Sequence, residues 1–293
     1  MESTSKVLVT GGAGFIGQSI AERFAKQSIP VRVYDTVQPP FEVESTIGDI
    51  SDLDKLRSAI QDCDVVIHLV GLADAGTAQR EPQRSFELNV VSLQNVLELC
   101  RLGGNKKLIY PSSAAVYGMT DDLPIRERTH LEPTGIYSWH KYICENMIKA
   151  YHDNFAISYV ILRLFNVYGK GNKGVINTFL EKAKKGDIIE SFGPYQYRDF
   201  VYIGDVAEAF LRAALYDKCR NKVVNIGSGK GTQIRDVLNL VCELYPKAKW
   251  VEKKADFDMY DSIADITLAK ILLDFEPHSS MDFMKKVITA EMI

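Results

Sequence analysis

Cysteine is sparse in this 293-residue chain: Cys63, Cys100, Cys144, Cys219 and Cys242 are scattered, with no CxxC pair. That pattern excludes a disulfide framework or a cysteine-based zinc site and predicts free thiols in a reducing cytoplasm. Histidine is equally thin, and the spacing of His68, His130, His140, His152 and His278 suits no metal. No apolar run approaches the ~20 residues of a membrane helix. The opening Met1-Glu2-Ser3-Thr4-Ser5-Lys6 lacks the succession of a secretory signal. Neither charge is in excess. The net charge of −3 argues against a nucleic-acid or anionic-membrane binder and still allows a local basic pocket. Repeats, low-complexity tracts and long linkers are absent.

What is present is an alternation of strand and helix. Lys6 to Thr10 reads as a short apolar strand, and Gln18 to Gln27 as a helix with Ile20, Ala21, Phe24 and Ala25 on one face. Strands at Val31 to Tyr34, Asp64 to Val70, Lys107 to Ser112 and Ile157 to Arg163 are separated by helices over Leu53 to Ile60, Pro82 to Leu102 and Tyr137 to Asp153. Ser51 is placed to cap the first of these three helices. The near-continuous apolar strands fit a parallel sheet covered on both faces. The pattern predicts an α/β fold, a doubly wound parallel sheet of the Rossmann type. After Arg163 the rhythm breaks, so a smaller C-terminal α/β substrate lobe is expected. Residues 1–166 form the dinucleotide domain, to which 199–226 returns, and 167–198 with 227–293 form the lobe. Within that third, helices are expected at Val175 to Lys185, Asp205 to Tyr216, Ile234 to Leu244, Thr267 to Leu273 and Met281 to Ala290, and strands at Phe200 to Ile203 and Val223 to Ile226.

Between the first strand and first helix lies Thr10-Gly11-Gly12-Ala13-Gly14-Phe15-Ile16-Gly17. Gly11, Gly14 and Gly17 give GxxGxxG, and Gly12, Gly14 and Gly17 fit GxGxxG. Glycines let the backbone turn tightly and approach a pyrophosphate, and the helix N-terminus offers N–H groups to the phosphates. Gly11, Gly14, Phe15, Ile16 and Gly17 are therefore the candidate phosphate loop. A merely structural turn is the alternative, but the strand before and helix after favour the dinucleotide. Asp35 ends the second strand. A carboxylate there accepts bonds from ribose hydroxyls and repels a 2′-phosphate, which favours NAD over NADP.

Tyr137-Ser138-Trp139-His140-Lys141 is a YxxxK motif whose spacing sets Tyr137 and Lys141 on one helical face. A free tyrosine, with a pKa of ~10, is a poor base at neutral pH. A neighbouring ammonium favours the phenolate, which then takes a proton from a sugar hydroxyl as hydride leaves the same carbon. Ser113 ends the preceding strand at the sheet's carboxyl edge, where it either polarises the developing carbonyl or merely caps a turn. His68 reads as a satisfied core histidine, and His140 as a surface or interface residue off the Tyr–Lys face. Trp139 and Trp250 read as packing residues, Tyr195 and Tyr197 as cleft candidates, and the series Asp256, Asp258, Asp261 and Asp265 as solvated loop and cap residues.

With these pieces in order, nearly the whole chain resembles the extended short-chain dehydrogenase/reductase family, in its NAD-dependent epimerase/dehydratase group. The markers are TGGAGFIG at 10–17, GDI at 48–50, SSAAVYG at 112–118, YSWHK at 137–141, LRLFNVYG at 162–169, RDFVYIGDVA at 198–207 and NIGSG at 225–229. The resemblance implies that Asp49 and Ile50 contact the adenine end of NAD and that Asn89 lies near the cofactor. It implies that Lys141 bonds the nicotinamide ribose, and that Ser113, Tyr137 and Lys141 form the catalytic triad. Asn166 and Arg198 would hold the substrate diphosphate, with Lys254 in place of a further arginine. It also implies a homodimer through helices near 84–102 and 137–153.

Two departures bear on the chemistry. Family dehydratases place an Asp-Glu pair after the triad hydroxyl, where this chain has Ala114 and Ala115, so elimination of water is disfavoured. A lysine often found in galactose epimerases after the His68 strand is absent; Leu72 and Ala73 stand there. The expected function is a nucleotide-sugar 4-epimerase acting on a UDP-hexose or UDP-N-acetylhexosamine. The alternative is a nucleotide-sugar dehydrogenase or 4-ketoreductase with the same triad, and a non-enzymatic dinucleotide sensor ranks below both.

Overall fold

The structure is a computed structural model, and it describes residues 5–104, 106–172, 174–254 and 260–290. Seven strands form one parallel sheet in the order β3-β2-β1-β4-β5-β6-β10. They are β1 (Val7–Thr10), β2 (Val31–Asp35), β3 (Glu44–Ile47), β4 (Val65–His68), β5 (Lys107–Ser113), β6 (Tyr159–Leu164) and β10 (Lys222–Ile226). The numbering leaves room for β7 (Asn166–Tyr168), β8 (Ile188–Phe192) and β9 (Tyr197–Tyr202) before it, and for β11 (Gly231–Gln233) and β12 (Lys249–Lys253) after it. The chain winds outward from β1 to β3, then returns to β4 on the other side of β1. That reversal opens a crevice at the carboxyl ends of β1 and β4, the place where such sheets take ligands.

Successive strand residues feed two different cores. Val7, Val9, Val65, Ile67 and Ile109 point to one face, beneath α1 (Phe15–Lys26), α8 (Ile203–Leu215) and α10 (Thr267–Leu273). Leu8, Val66, Leu108, Tyr110 and Ile161 point to the other, beneath α2 (Leu53–Ile60), α5 (Ser92–Leu102) and α6 (Ile136–Phe155). Both faces are covered, which is why the strands read as unbroken apolar runs. A third core joins α7 (Val175–Lys185), α9 (Ile234–Leu244), α11 (Met281–Ala290) and Ile189 of β8. It is flanked by two small sheets, β11-β9-β7 and β12-β8.

Several expectations need correction. The strand around Phe200 pairs with β7 and β11 and does not enter the large sheet, because Asn166 to Tyr168 and Gly231 to Gln233 supply its partners. Residues 264–275, assigned by sequence to the lobe, bury Ala264, Ile266, Ala269, Leu273 and Phe275 in the first core. Asp52, not Ser51, caps α2 by accepting from the Lys55 N–H. The helix expected over 82–102 is three pieces. A short helix, α4 (Pro82–Phe86), leads into a π-helical turn over Glu87–Val91 and then into α5. Strands β3, β8, β11 and β12 and the helix α3 (Ala75–Arg80) had no periodic signal long enough to be read. Among the described residues no helix is long and apolar enough to cross a membrane, and no cluster of His, Cys, Asp and Glu is poised to hold a metal. The five cysteines are free thiols.

Candidate active site

The glycine loop is held where its sequence requires. Gly11 sits at φ +71°, and a Cβ there would lie 2.9 Å from the Val70 nitrogen; at Gly17 it would lie 2.2 Å from the Gly11 carbonyl oxygen. The loop is thereby pressed against the segment after β4 and against the first turn of α1. No side chain caps α1 at Gly14, so its first N–H groups face the crevice without intrahelical partners. Asp35 stands at the carboxyl end of β2, and its Oδ2 accepts the Ala13 N–H at 2.9 Å. The carboxylate thus braces the loop as well as facing the place where a ribose would lie.

The neighbouring turn is fixed from below. The Gly48 N–H donates to the Asp35 carbonyl at 2.9 Å, and the Tyr34 hydroxyl donates to the Asp49 carbonyl at 2.8 Å. Asp49 is exposed, and the Ser51 hydroxyl and N–H on its carboxylate hold it below the usual carboxylate range. Ile50 is buried in the second core. On the opposite wall Asn89 lies inside the π turn. Its amide nitrogen donates to the Leu72 carbonyl at 3.2 Å and its Oδ1 accepts the Leu72 N–H at 3.1 Å. The side chain therefore clamps the segment after β4. These groups fit a dinucleotide: an uncapped helix start, glycines where any Cβ collides, and a carboxylate at the ribose position.

Ser113, Tyr137 and Lys141 converge at the carboxyl edge of β5. Ser113 caps the short turn over Ala114–Tyr117 by accepting from the Ala115 N–H at 3.2 Å, and its hydroxyl lies close enough to Tyr137 to influence the phenol. The capping reading of Ser113 is the one seen directly. Tyr137 is half-buried in the first turn of α6. Lys141 Nζ lies 5.9 Å from the Tyr137 ring centroid and donates to the Pro111 carbonyl at 2.7 Å and the Tyr110 hydroxyl at 3.2 Å. Burial pulls Lys141 down to about 8.

The electrostatics correct one expectation. Burial pushes the Tyr137 phenol above its ordinary value, and the Ser113 hydroxyl only partly opposes it. Desolvation outweighs an ammonium whose protons already point at neutral oxygens. Burial thus favours the phenol over the phenolate in the protein by itself.

Arg198 projects from β9, donating to the carbonyls of Tyr197 at 3.0 Å and Tyr260 at 2.5 Å and to Gln196 Oε1 at 2.7 Å, with its guanidinium 5.2 Å from the Tyr260 ring centroid. No carboxylate forms an ion pair with it among the described residues. Burial pulls its pKa down, with Tyr260 and Asp261 opposing. Asn166 is exposed on β7, the strand beside β9. Lys254 is exposed just past β12, in a sheet separate from that of Asn166 and Arg198. Tyr195 and Tyr197 are exposed. Trp250 is half-buried and bonds Asn239. Asp261 accepts the Tyr197 N–H and Asp265 caps Thr267, while Asp256 and Asp258 lie outside the described residues.

Two histidines resolve. His68 is fully buried between Thr10 and Ser92 and is pulled down to about 3 by burial, so it is a neutral core group. His140 is not a surface residue. It is buried with Nδ1 3.0 Å from Ser85 Oγ, because α4 packs over that side of α6.

Sequence reasoning passed over a buried network beneath the triad. Glu145, one turn beyond Lys141, accepts from Ser112 Oγ at 2.6 Å and pairs with Arg163 at 2.7 Å. Arg163 also donates to the Tyr117 hydroxyl at 2.9 Å, and Tyr117 donates to Asn225 at 2.6 Å. A charged residue inside the apolar strand Tyr159–Leu164 was the available signal.

The switch-point crevice, the glycine loop and the Ser–Tyr–Lys cluster define an enzyme of the extended short-chain dehydrogenase/reductase type. The chain belongs to the NAD dependent epimerase/dehydratase family, whose model matches residues 7–227, and its cofactor is NAD. Among its relatives is a putative UDP-glucose 4-epimerase of Methanocaldococcus jannaschii, 36% identical over 251 residues that cover 80% of this chain and 81% of the relative. A UDP-N-acetyl-alpha-D-glucosaminuronate decarboxylase of Bacillus cytotoxicus is 30% identical, covering 94% of both chains. A UDP-glucose 4-epimerase of Thermotoga maritima, solved with UDP-glucose, superposes with a TM-score of 0.88 at 28% identity over 98% of each chain.

Proposed function

We propose that this protein interconverts the C4 epimers of a nucleotide-diphosphate sugar, a UDP-hexose or UDP-N-acetylhexosamine. The observation that carries the reading is the Ser113–Tyr137–Lys141 cluster at the crevice, with Ala114 and Ala115 where elimination would need an acid and a base. The 4-epimerase names of relatives along most of the chain support it.

In this reading the glycine loop, Asp35, Asp49, Ile50 and Asn89 hold NAD, and Lys141 holds its nicotinamide ribose. Bound NAD supplies a hydride acceptor that returns what it takes. Tyr137 is the proton acceptor for the C4 hydroxyl, and Ser113 donates to the oxygen that becomes a ketone. Arg198 and Asn166, with Lys254 further out, hold the diphosphate. An anchored diphosphate would leave the oxidised sugar free to turn over about its linkage and present its other face to Tyr137 and Ser113. The cycle is redox-neutral.

The test is to identify what the purified protein releases on denaturation, then incubate it with a panel of nucleotide sugars. Interconversion of 4-epimers with no net NADH absorbance is expected. Stoichiometric NADH would favour the dehydrogenase or ketoreductase reading, and loss of carbon dioxide from a uronic sugar would favour the decarboxylase.

The assembly is part of the same proposal: a homodimer through α5 and α6. Trp139 is exposed, and with Tyr142, Ile143, Met147 and Ala150 it lines an apolar hollow on α6. Such a patch is costly to leave in water. Sedimentation should give twice the monomer mass, and Trp139→Glu should give the monomer; a wild-type monomer at micromolar concentration would dismiss the interface. We assign the protein to the cytoplasm, on the strength of its five free thiols.

A further inference from the structure

Lys141 is a buried ammonium with no ion-pair partner among the described residues. The nearest carboxylate on its own helix, Glu145, is taken up by Arg163 and Ser112. An ammonium has three protons to place. Two go to neutral oxygens beneath it, the Pro111 carbonyl and the Tyr110 hydroxyl, and the Nζ lies 4.6 Å from the centroid of the Tyr110 ring. Pro111 offers a backbone carbonyl that is fixed by the sheet. The Tyr110 oxygen is held in place by a ring buried in the sheet's second core.

The Tyr110 ring is 1% exposed and belongs to the second core, and Cys144 of α6, fully buried, donates from Sγ to the Asn89 carbonyl at 3.2 Å.

We infer that Tyr110 is a positioning residue for Lys141: its hydroxyl, carried on a ring fixed in the core, sets where the ammonium points. The third proton of Lys141 is thereby aimed into the cleft, towards Tyr137 and the cofactor. The inference rests on the proposed use of Lys141 in catalysis, but the geometry it invokes is a property of the protein by itself.

Tyr110→Phe keeps the ring under the ammonium and removes only the acceptor. Because that acceptor favours the charged amine, its loss lowers the Lys141 pKa. The groups that face Lys141 are Tyr110 and the Pro111 carbonyl from β5, Tyr137, Cys144 and Glu145 from α6, and His68 from β4. None of the others changes in this variant. The experiment is a 15N NMR titration of the lysine ammonium groups in the full-length protein, with the Lys141 signal assigned by its loss in Lys141→Met. Tyr110→Phe should move that titration down by about one unit. With a substrate in hand, kcat should fall about tenfold at unchanged KM and the alkaline limb of the pH profile should move to lower pH. A Lys141 titration that is unchanged in Tyr110→Phe overturns the inference. A wild-type protein that turns over no nucleotide sugar overturns the proposed function and leaves the titration still readable.

Discussion

Tyr137→Phe should abolish most turnover while leaving NAD bound, with kcat lower by about 10²- to 10⁴-fold. The ring stays, so the packing of the first turn of α6 stays with it. What goes is the phenolic oxygen beside Ser113, the group proposed to accept the sugar proton. The raised pKa of this phenol sharpens the expectation. Burial disfavours the phenolate in the protein by itself, so the proposed role of Tyr137 requires the loaded cleft to offset that shift. Spectrophotometric titration of the tyrosine band, with and without NAD, should show one phenol that ionises at lower pH when NAD is present and that is missing in Tyr137→Phe. A variant with a turnover rate near wild type would remove Tyr137 from the mechanism.

Glu145→Ala should be the most destabilising single change near the site. Glu145 and Arg163 are both buried and joined by two short bonds, and Ser112 Oγ donates to the same carboxylate. Removing the carboxylate leaves a guanidinium uncompensated in the interior, which costs about 3–5 kcal/mol. Set against a typical domain stability of about 5–15 kcal/mol, that is a large share. Thermal unfolding should show it as a clear drop in Tm. The double variant Glu145→Leu with Arg163→Met, which removes both charges, should recover much of the loss. Equal destabilisation in the single and double variants would mean that the pair does not behave as a unit.

Much of this was legible in the residues. The glycine loop declares itself because backbone collisions dictate its composition, and the bounds of α7, α9, α10 and α11 agree with the periodicity because each has one face on a core. Tyr137 and Lys141 were findable because four residues make one helical turn. The illegible parts have physical causes of another kind. β8 and β12 are strands only because they pair with each other across 61 residues, counted from Ile188 to Lys249. The π turn at Asn89 is set by what its neighbours demand and not by local propensity. His140 looked peripheral because its partner Ser85 lies 55 positions away in sequence. The direction of the Tyr137 pKa shift could not be read from composition at all, since it depends on how much solvent the surrounding elements exclude.

The π turn over Glu87–Val91 constrains how this chain can vary in length. Such a turn is an α-helix that accommodates one surplus residue. Deleting any residue between 87 and 91 would restore an unbroken helix of better local geometry. The flanking helices would keep their facing, because the turn exists to absorb that residue, but the widened turn that carries Asn89 would close and its amide would lose the clamp on Leu72. The more regular helix would belong to a less capable protein, so length polymorphism is tolerable in the loops flanking this helix and not within it.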